Sequence, residues 1–273
     1  MKKASLKSKL ISAPYLVWAA LFIIAPLIFV VYYSVTNANG DFTLENLQTL
    51  SKYATTFLRS IWFGIVATLI CLVIAYPIAY IISQRSANTQ RTMVMLIMLP
   101  MWMNFLIRTY SWMALLQDTG IINSAFSALG LEPVHMINTS GAVILGMVYN
   151  FLPYMILPIY SVMTKLDHSV VEAAQDLGGN RLTVMRKCIL PLSMPGIASG
   201  ITMVFVPSVS TFYISQKLGG GSFDLIGDVI ERQFQQSYNY NLGAALSLVL
   251  MVLILLCMAV MNRFTNDEEG LLI

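Results

Sequence analysis

Asp228 and Glu231 stand three residues apart, so on a helix their carboxylates share one face and form the best acidic pair of the chain for attracting a cation. Asp118, Glu132 and Asp224 join them in the stretches that flank apolar runs, where attracting a cation, docking a partner and ordinary solvation are open roles, solvation foremost for Glu132 beside Pro133. A polar and aromatic set falls within or beside the apolar runs: Trp102, Asn104, Tyr110, Tyr149, Asn150, Tyr154, Ser208, Ser210, Thr211 and Tyr213. Aromatic faces can replace the water stripped from a cation, and they serve just as well as packing or interfacial anchors. Arg108 is the clearest charge inside an apolar run, a functional hypothesis by default. A guanidinium repels a polycation, so it fits snorkelling, or pairing with a carboxylate of another chain, better than cargo contact.

Other chemistries are absent. No Gly-x4-Gly-Lys-[Ser/Thr] loop exists to cradle a triphosphate, so ATP chemistry would need a separate polypeptide. His135 and His168 fall on opposite sides of the topology derived below, and no His-Glu-x-x-His pattern occurs, which argues against a metal site and a membrane enzyme. Cys71, Cys188 and Cys257 are too dispersed for a disulfide framework and read as inert thiols. The net charge of +3, with no basic run interleaved with stacking aromatics, excludes a nucleic-acid groove.

The elements that position these residues are membrane helices. Hydrophobic residues make up 57% of the 273 and charged residues 11%, against roughly a quarter charged in soluble proteins. A soluble core of this length has too little interior for that apolar surface. Crossing a bilayer takes about 20 apolar residues in a helix, and such segments fall near 14–36, 57–83, 92–116, 141–164, 196–216 and 241–262. The expectation is one all-α integral membrane domain of six spans over 1–273. The first run is too long for a signal-peptide core and ends in no small-x-small site, so an uncleaved first helix is expected. With the N-terminus cytoplasmic, the inside segments carry Lys2, Lys3, Lys7, Lys9, Arg85, Arg91, Lys165, Arg181, Arg186, Lys187 and Arg263. The outside ones carry Lys52, Arg59, Lys217 and Arg232. Eleven against four puts both termini inside.

The most informative stretch is the inside loop between the fourth and fifth spans, 167–191. Ser169 with Glu172 makes a capping box that starts a short helix. Val170, Ala173, Ala174 and Leu177 follow as one apolar stripe, and Gly178-Gly179 ends it. Asn180 can cap a second helix running through Arg181 and Arg186 to Leu190-Pro191. A two-turn helix outside the membrane cannot bury its own stripe. The residues alone fit a helix resting on headgroups and a docking helix for a cytosolic partner equally well.

Glu172-Ala173-Ala174, with Asp176, Gly178 and then Leu190-Pro191, resembles the EAA loop of ABC importer permeases; Cys188 stands where that family usually carries an aliphatic residue. The stretches Leu106 to Tyr110, Gly120 to Asn123, Pro191 to Gly196 and Gly219-Gly220 to Ile230 look like those of spermidine/putrescine permeases. The resemblance implies a type I importer architecture in the bacterial inner membrane and a coupling helix seated in a cytosolic ATPase. It implies a second homologous permease, a pair of ATPase subunits that bind the ATP and magnesium, an extracytoplasmic binding protein, and no cofactor on this chain. Polyamine is the implied cargo. The same machine with iron, an inorganic anion or an amino acid is an alternative, as is a stand-alone secondary transporter or channel. Against the latter stand the absence of a membrane-buried carboxylate for proton coupling and of an inverted repeat.

Overall fold

The computed structural model describes residues 14–269; Lys2, Lys3, Lys7 and Lys9, used above for orientation, lie outside the described residues. Among the described residues every regular element is a helix. In chain order they are α1 (Pro14–Ser34), α2 (Glu45–Ser83), α3 (Ala87–Trp102), α4 (Phe105–Leu116), α5 (Ile121–Ala128) and α6 (Ser140–Met163). Then come α7 (His168–Asp176), α8 (Arg181–Ser210), α9 (Tyr213–Leu218), α10 (Ile226–Gln235) and α11 (Tyr240–Glu269). Five helices, α1, α2, α6, α8 and the Tyr240–Val260 part of α11, are long and apolar enough to cross a bilayer. The pair formed by α3 and the α4–α5 segment is apolar enough as well, but meets at an 87° bend, as a broken span or a re-entrant loop does.

That bend corrects the straight third span expected at 92–116. Pro100 has no N–H for the carbonyl four residues back, so the last turn of α3 is weakened. Met103 then turns extended, with ψ 148°. Asn104 starts a new helix, its side chain accepting from the Leu106 N–H at 2.8 Å.

Two π-helical turns, Ala20–Ile24 and Met185–Ile189, share a cause of the same kind. Each lies just before a proline, Pro26 or Pro191. The last amide before the proline bonds five residues back, Ala25 to Ala20 and Leu190 to Met185. The proline offers no donor to continue the α-ladder, and the ladder widens ahead of it.

The chain divides into two compact units, residues up to Thr55 with Val229–Leu253, and Thr56–Asp228 with residues from Ile254 onward. In the first, the Thr36 carbonyl accepts from the side-chain amides of Asn46 at 2.9 Å and Asn241 at 2.7 Å, tying the ends of three segments to one oxygen. Its α1 span has none of its residues buried within the chain over the apolar window.

The second unit is built on α6 and α8, which run antiparallel. A Cβ on Gly196 would lie 2.9 Å from the Pro158 carbonyl oxygen, and one on Gly200 would lie 3.2 Å from that of Met155. Lipid offers helices no hydrophobic gain on pairing, so close backbone approach and dispersion hold them, and a small-xxx-small spacing permits it. Ala67, Cys71, Ala75 and Ala79 of α2 are fully buried on one stripe, with the Cys71 thiol 3.8 Å from the Val148 carbonyl. Cys71 is thus a packed small residue, while Cys188 and Cys257 are only half-buried.

Candidate functional site

At one end of the α6/α8 pair, Thr164 to Asp167 leads into α7. Asp167, rather than Ser169, is the cap: its side chain accepts from the Ser169 N–H at 3.0 Å. Asp167 does the capping job two residues earlier, which leaves Glu172 exposed in mid-helix. The C-terminus closes as a Schellman turn. Gly178 adopts the left-handed region at φ +83°, its N–H donating to Gln175 at 2.8 Å, and the Gly179 N–H donates to Ala174 at 3.1 Å. A Cβ on Gly179 would sit 2.5 Å from that Ala174 oxygen, so the second glycine is required as firmly as the first.

The apolar stripe divides. Of the stripe only Ala174 leans on the core of the second unit, together with Val171 from outside the stripe. Val170, Ala173 and Leu177 face outward with Glu172 and Asp176, Leu177 being 90% exposed. Asn180 caps α8 through the Thr183 N–H at 2.8 Å. From there α8 runs to Ser210 with the π-turn at its start and Leu190-Pro191 just after it. A helix of this length spans about 45 Å, so α8 is a single rod from the α7 turn to the opposite end of the unit.

At that opposite end, α9 packs on α4 and brings together three rings and two cations. Tyr213 lies 5.9 Å from Phe105 and 6.1 Å from Tyr110, edge to face with the latter. The Lys217 ammonium sits 5.4 Å from the Tyr110 ring centroid and 5.7 Å from that of Tyr213, within cation–π range. Arg108 stands behind Phe105 at 6.0 Å and is 8% exposed, its Nε and Nη1 buried without a hydrogen-bond partner. Sequence reasoning placed Lys217 only among loop charges; the Tyr213/Lys217 spacing of one helical turn was the available signal.

The remaining candidates are not drawn into this cluster. Tyr149 packs edge-on against Trp112 at 5.3 Å. Trp102 is 75% exposed, and Tyr154, 40% exposed, faces Phe151 at 6.5 Å. Asn104 caps α4 and the Ser210 hydroxyl donates to Val206 of its own helix at 3.0 Å. Asp228 is 2% exposed and engaged: Oδ1 accepts from Ser215 at 2.8 Å, and Oδ2 accepts from the Leu225 N–H at 2.8 Å, the back-bond of a helix start. Ser60 completes that start by accepting from the Ile226 N–H at 2.7 Å. Asp228 therefore positions a loop, while Glu231 is half-exposed further along α10. Asp118 is paired with His135 at 2.9 Å on the exposed surface.

Five apolar helices and one bent pair, with the short capped α7 between α6 and α8, define a polytopic helical membrane protein. Residues 75–266 match the family described as binding-protein-dependent transport system inner membrane component, and the chain belongs to that family. It is 37% identical over 239 residues to the spermidine/putrescine transport system permease protein PotB of Haemophilus influenzae, covering 84% of each chain. It is 35% identical to PotB of Escherichia coli, covering 84% of this chain and 86% of that one. Among solved structures, a bacterial ABC transporter for import of the acidic polysaccharide alginate matches with a TM-score of 0.77 at 18% identity, over 96% of both chains. That likeness gives the fold, an ABC importer permease.

Proposed function

We propose that this chain is one of two related permease subunits of an ATP-driven importer carrying polyamines such as spermidine and putrescine across the bacterial inner membrane. The observation that carries the coupling role is α7, whose outward face combines exposed Val170, Ala173 and Leu177 with Glu172 and Asp176. A 90% exposed leucine at the end of a rigidly capped helix is surface made for a partner. The partner is a cytosolic ATPase pair, which binds ATP and magnesium; an extracytoplasmic binding protein delivers the cargo. Both termini lie in the cytoplasm. Closure of the ATPase pair moves α7, and the Asp176-to-Arg181 turn passes the motion to α8. The bundle then exchanges inward- for outward-facing access, to the extent that ATP binds one state better than the other.

The cargo assignment leans on the PotB relatives and on the aromatic faces of Phe105, Tyr110 and Tyr213, which suit ammonium groups. A second reading, an anionic cargo, is favoured by buried Arg108 with its unpartnered nitrogens. Uptake by the assembled transporter in proteoliposomes, with labelled spermidine competed by putrescine, sulfate and amino acids, tests both. Spermidine uptake competed by putrescine alone supports the first; no spermidine uptake, with uptake of labelled sulfate in its place, supports the second.

A further inference from the structure

Lys217 is a primary ammonium on a four-carbon stem, which is chemically the aminobutyl end of putrescine or spermidine. Its ammonium lies over two tyrosine rings at once, at 5.4 and 5.7 Å. Tyr213 belongs to its own helix, one turn earlier, whereas Tyr110 comes from α4, so the cage exists only where the two helices meet. Phe105 extends the aromatic wall on the other side of Tyr213. The cage is open: Tyr110 is 45% exposed and Lys217 is half-exposed, so an incoming ammonium can reach the faces that Lys217 now covers. Arg108, behind Phe105, is no bar to a cation here, because the Lys217 charge already resides in the cage.

We propose that the Tyr110–Tyr213 pair is a binding subsite for the alkylammonium end of a polyamine, occupied in cis by Lys217 until cargo displaces it. The proposal rests on the polyamine reading above. An internal competitor keeps the ring faces occupied between cycles, and it weakens the subsite so that cargo can leave. A lysine tethered one turn away is a local competitor at high effective concentration, so removing it unmasks affinity.

The test uses the whole transporter in nanodiscs without its binding protein, measuring equilibrium binding of radiolabelled spermidine. Lys217→Met keeps the stem and deletes the charge; spermidine should bind about 3- to 30-fold more tightly. Adding Tyr213→Leu should abolish that gain, and Tyr110→Phe, which keeps a ring face, should preserve most of it. Misfolding cannot produce a gain, so the first variant reads cleanly. Unchanged or weaker binding in Lys217→Met, or a gain that survives Tyr213→Leu, overturns the subsite. If the wild-type transporter with its binding protein takes up no spermidine, the polyamine reading fails and the subsite with it. Normal wild-type uptake with unaltered affinity in Lys217→Met rejects the subsite alone.

Discussion

The Gly179 amide donates to the Ala174 carbonyl across 3.1 Å, closing the turn that ends α7. With Gly178 at φ +83° beside it, this turn fixes the direction in which α7 meets α8. Gly178→Val puts a β-branched residue in the left-handed region, costing about 1–2 kcal/mol, and the helix end frays or swings. We expect spermidine uptake to fall at least tenfold while the complex still assembles. ATPase activity should lose its response to loaded binding protein. Glu172→Lys should uncouple in the same way through the docking face rather than the turn. Normal uptake by both variants would show that α7 does not transmit the power stroke.

Asp228 predicts a stability effect and not a transport-specificity effect. Its two oxygens hold the Leu225 amide and the Ser215 hydroxyl in a site only 2% exposed. Asp228→Ala leaves the buried Leu225 amide without its acceptor, at about 1–3 kcal/mol, while the Ser215 hydroxyl still reaches the Phe212 carbonyl at 2.8 Å. Thermal unfolding of the purified complex should show a lowered midpoint, with cargo selectivity unchanged among the molecules that remain folded. Ser215→Ala removes one donor together with its own need for a partner, and should cost less. A selectivity change in Asp228→Ala without loss of stability would instead place that carboxylate in the pathway.

The α6/α8 contact is steric. A methyl on Gly196 would meet Pro158 backbone at 2.9 Å, and one on Gly200 would meet Met155 backbone at 3.2 Å. Backbone cannot rotate away as a side chain can, so Gly196→Ala forces the helices apart at about 1–3 kcal/mol. Gly200→Ala should cost less, since its nearest backbone neighbour is further away. The order of the two melting midpoints in detergent checks this.

These examples show which parts of the protein were legible in its sequence. The α7 loop was, because caps and Gly turns are local: Asn180 caps α8 as its position implied. Even there the start lies at Asp167, since two polar side chains two residues apart can each serve as the cap. The break at Met103–Asn104 was not legible. Pro100 reads as an ordinary membrane kink, and Asn104 looks like a pathway group until the helix it caps is known. The ammonium cage was hidden for a different reason. Tyr110 and Lys217 are distant in sequence, and only the packing of α4 on α9 joins them. Asp228 looks like a surface carboxylate because its partners, Ser215 of α9 and the Leu225 amide just before α10, meet it along a chain path that no pattern specifies.

Arg108 should be dispensable for the folding of the isolated chain. Its Nε and Nη1 are buried with no partner, so the side chain carries desolvation without compensation. Arg108→Met keeps the length and removes the charge, and should leave the melting midpoint of the purified subunit unchanged or raise it. A lowered midpoint would mean that the stacking on Phe105 outweighs the desolvation.

The sidedness of α7 decides the coupling role most directly, and a thiol at Gln175 reports it. Gln175 is exposed on α7, so a cysteine there is reachable by a bulky maleimide. The background must lack native thiols. Cys71→Ala extends the alanine stripe of α2 with no loss of fit, and the half-buried Cys188 and Cys257 accept alanine or serine. A membrane-impermeant maleimide should then label Gln175→Cys in inside-out vesicles and leave it untouched in right-side-out ones. Leu129, 76% exposed after α5, is the opposite marker position, and Leu129→Cys in the same thiol-free background should react only from the outside. Reaction of Gln175→Cys from the exterior would put α7 out of reach of any cytosolic ATPase, and no arrangement of the helices above it could then restore the coupling.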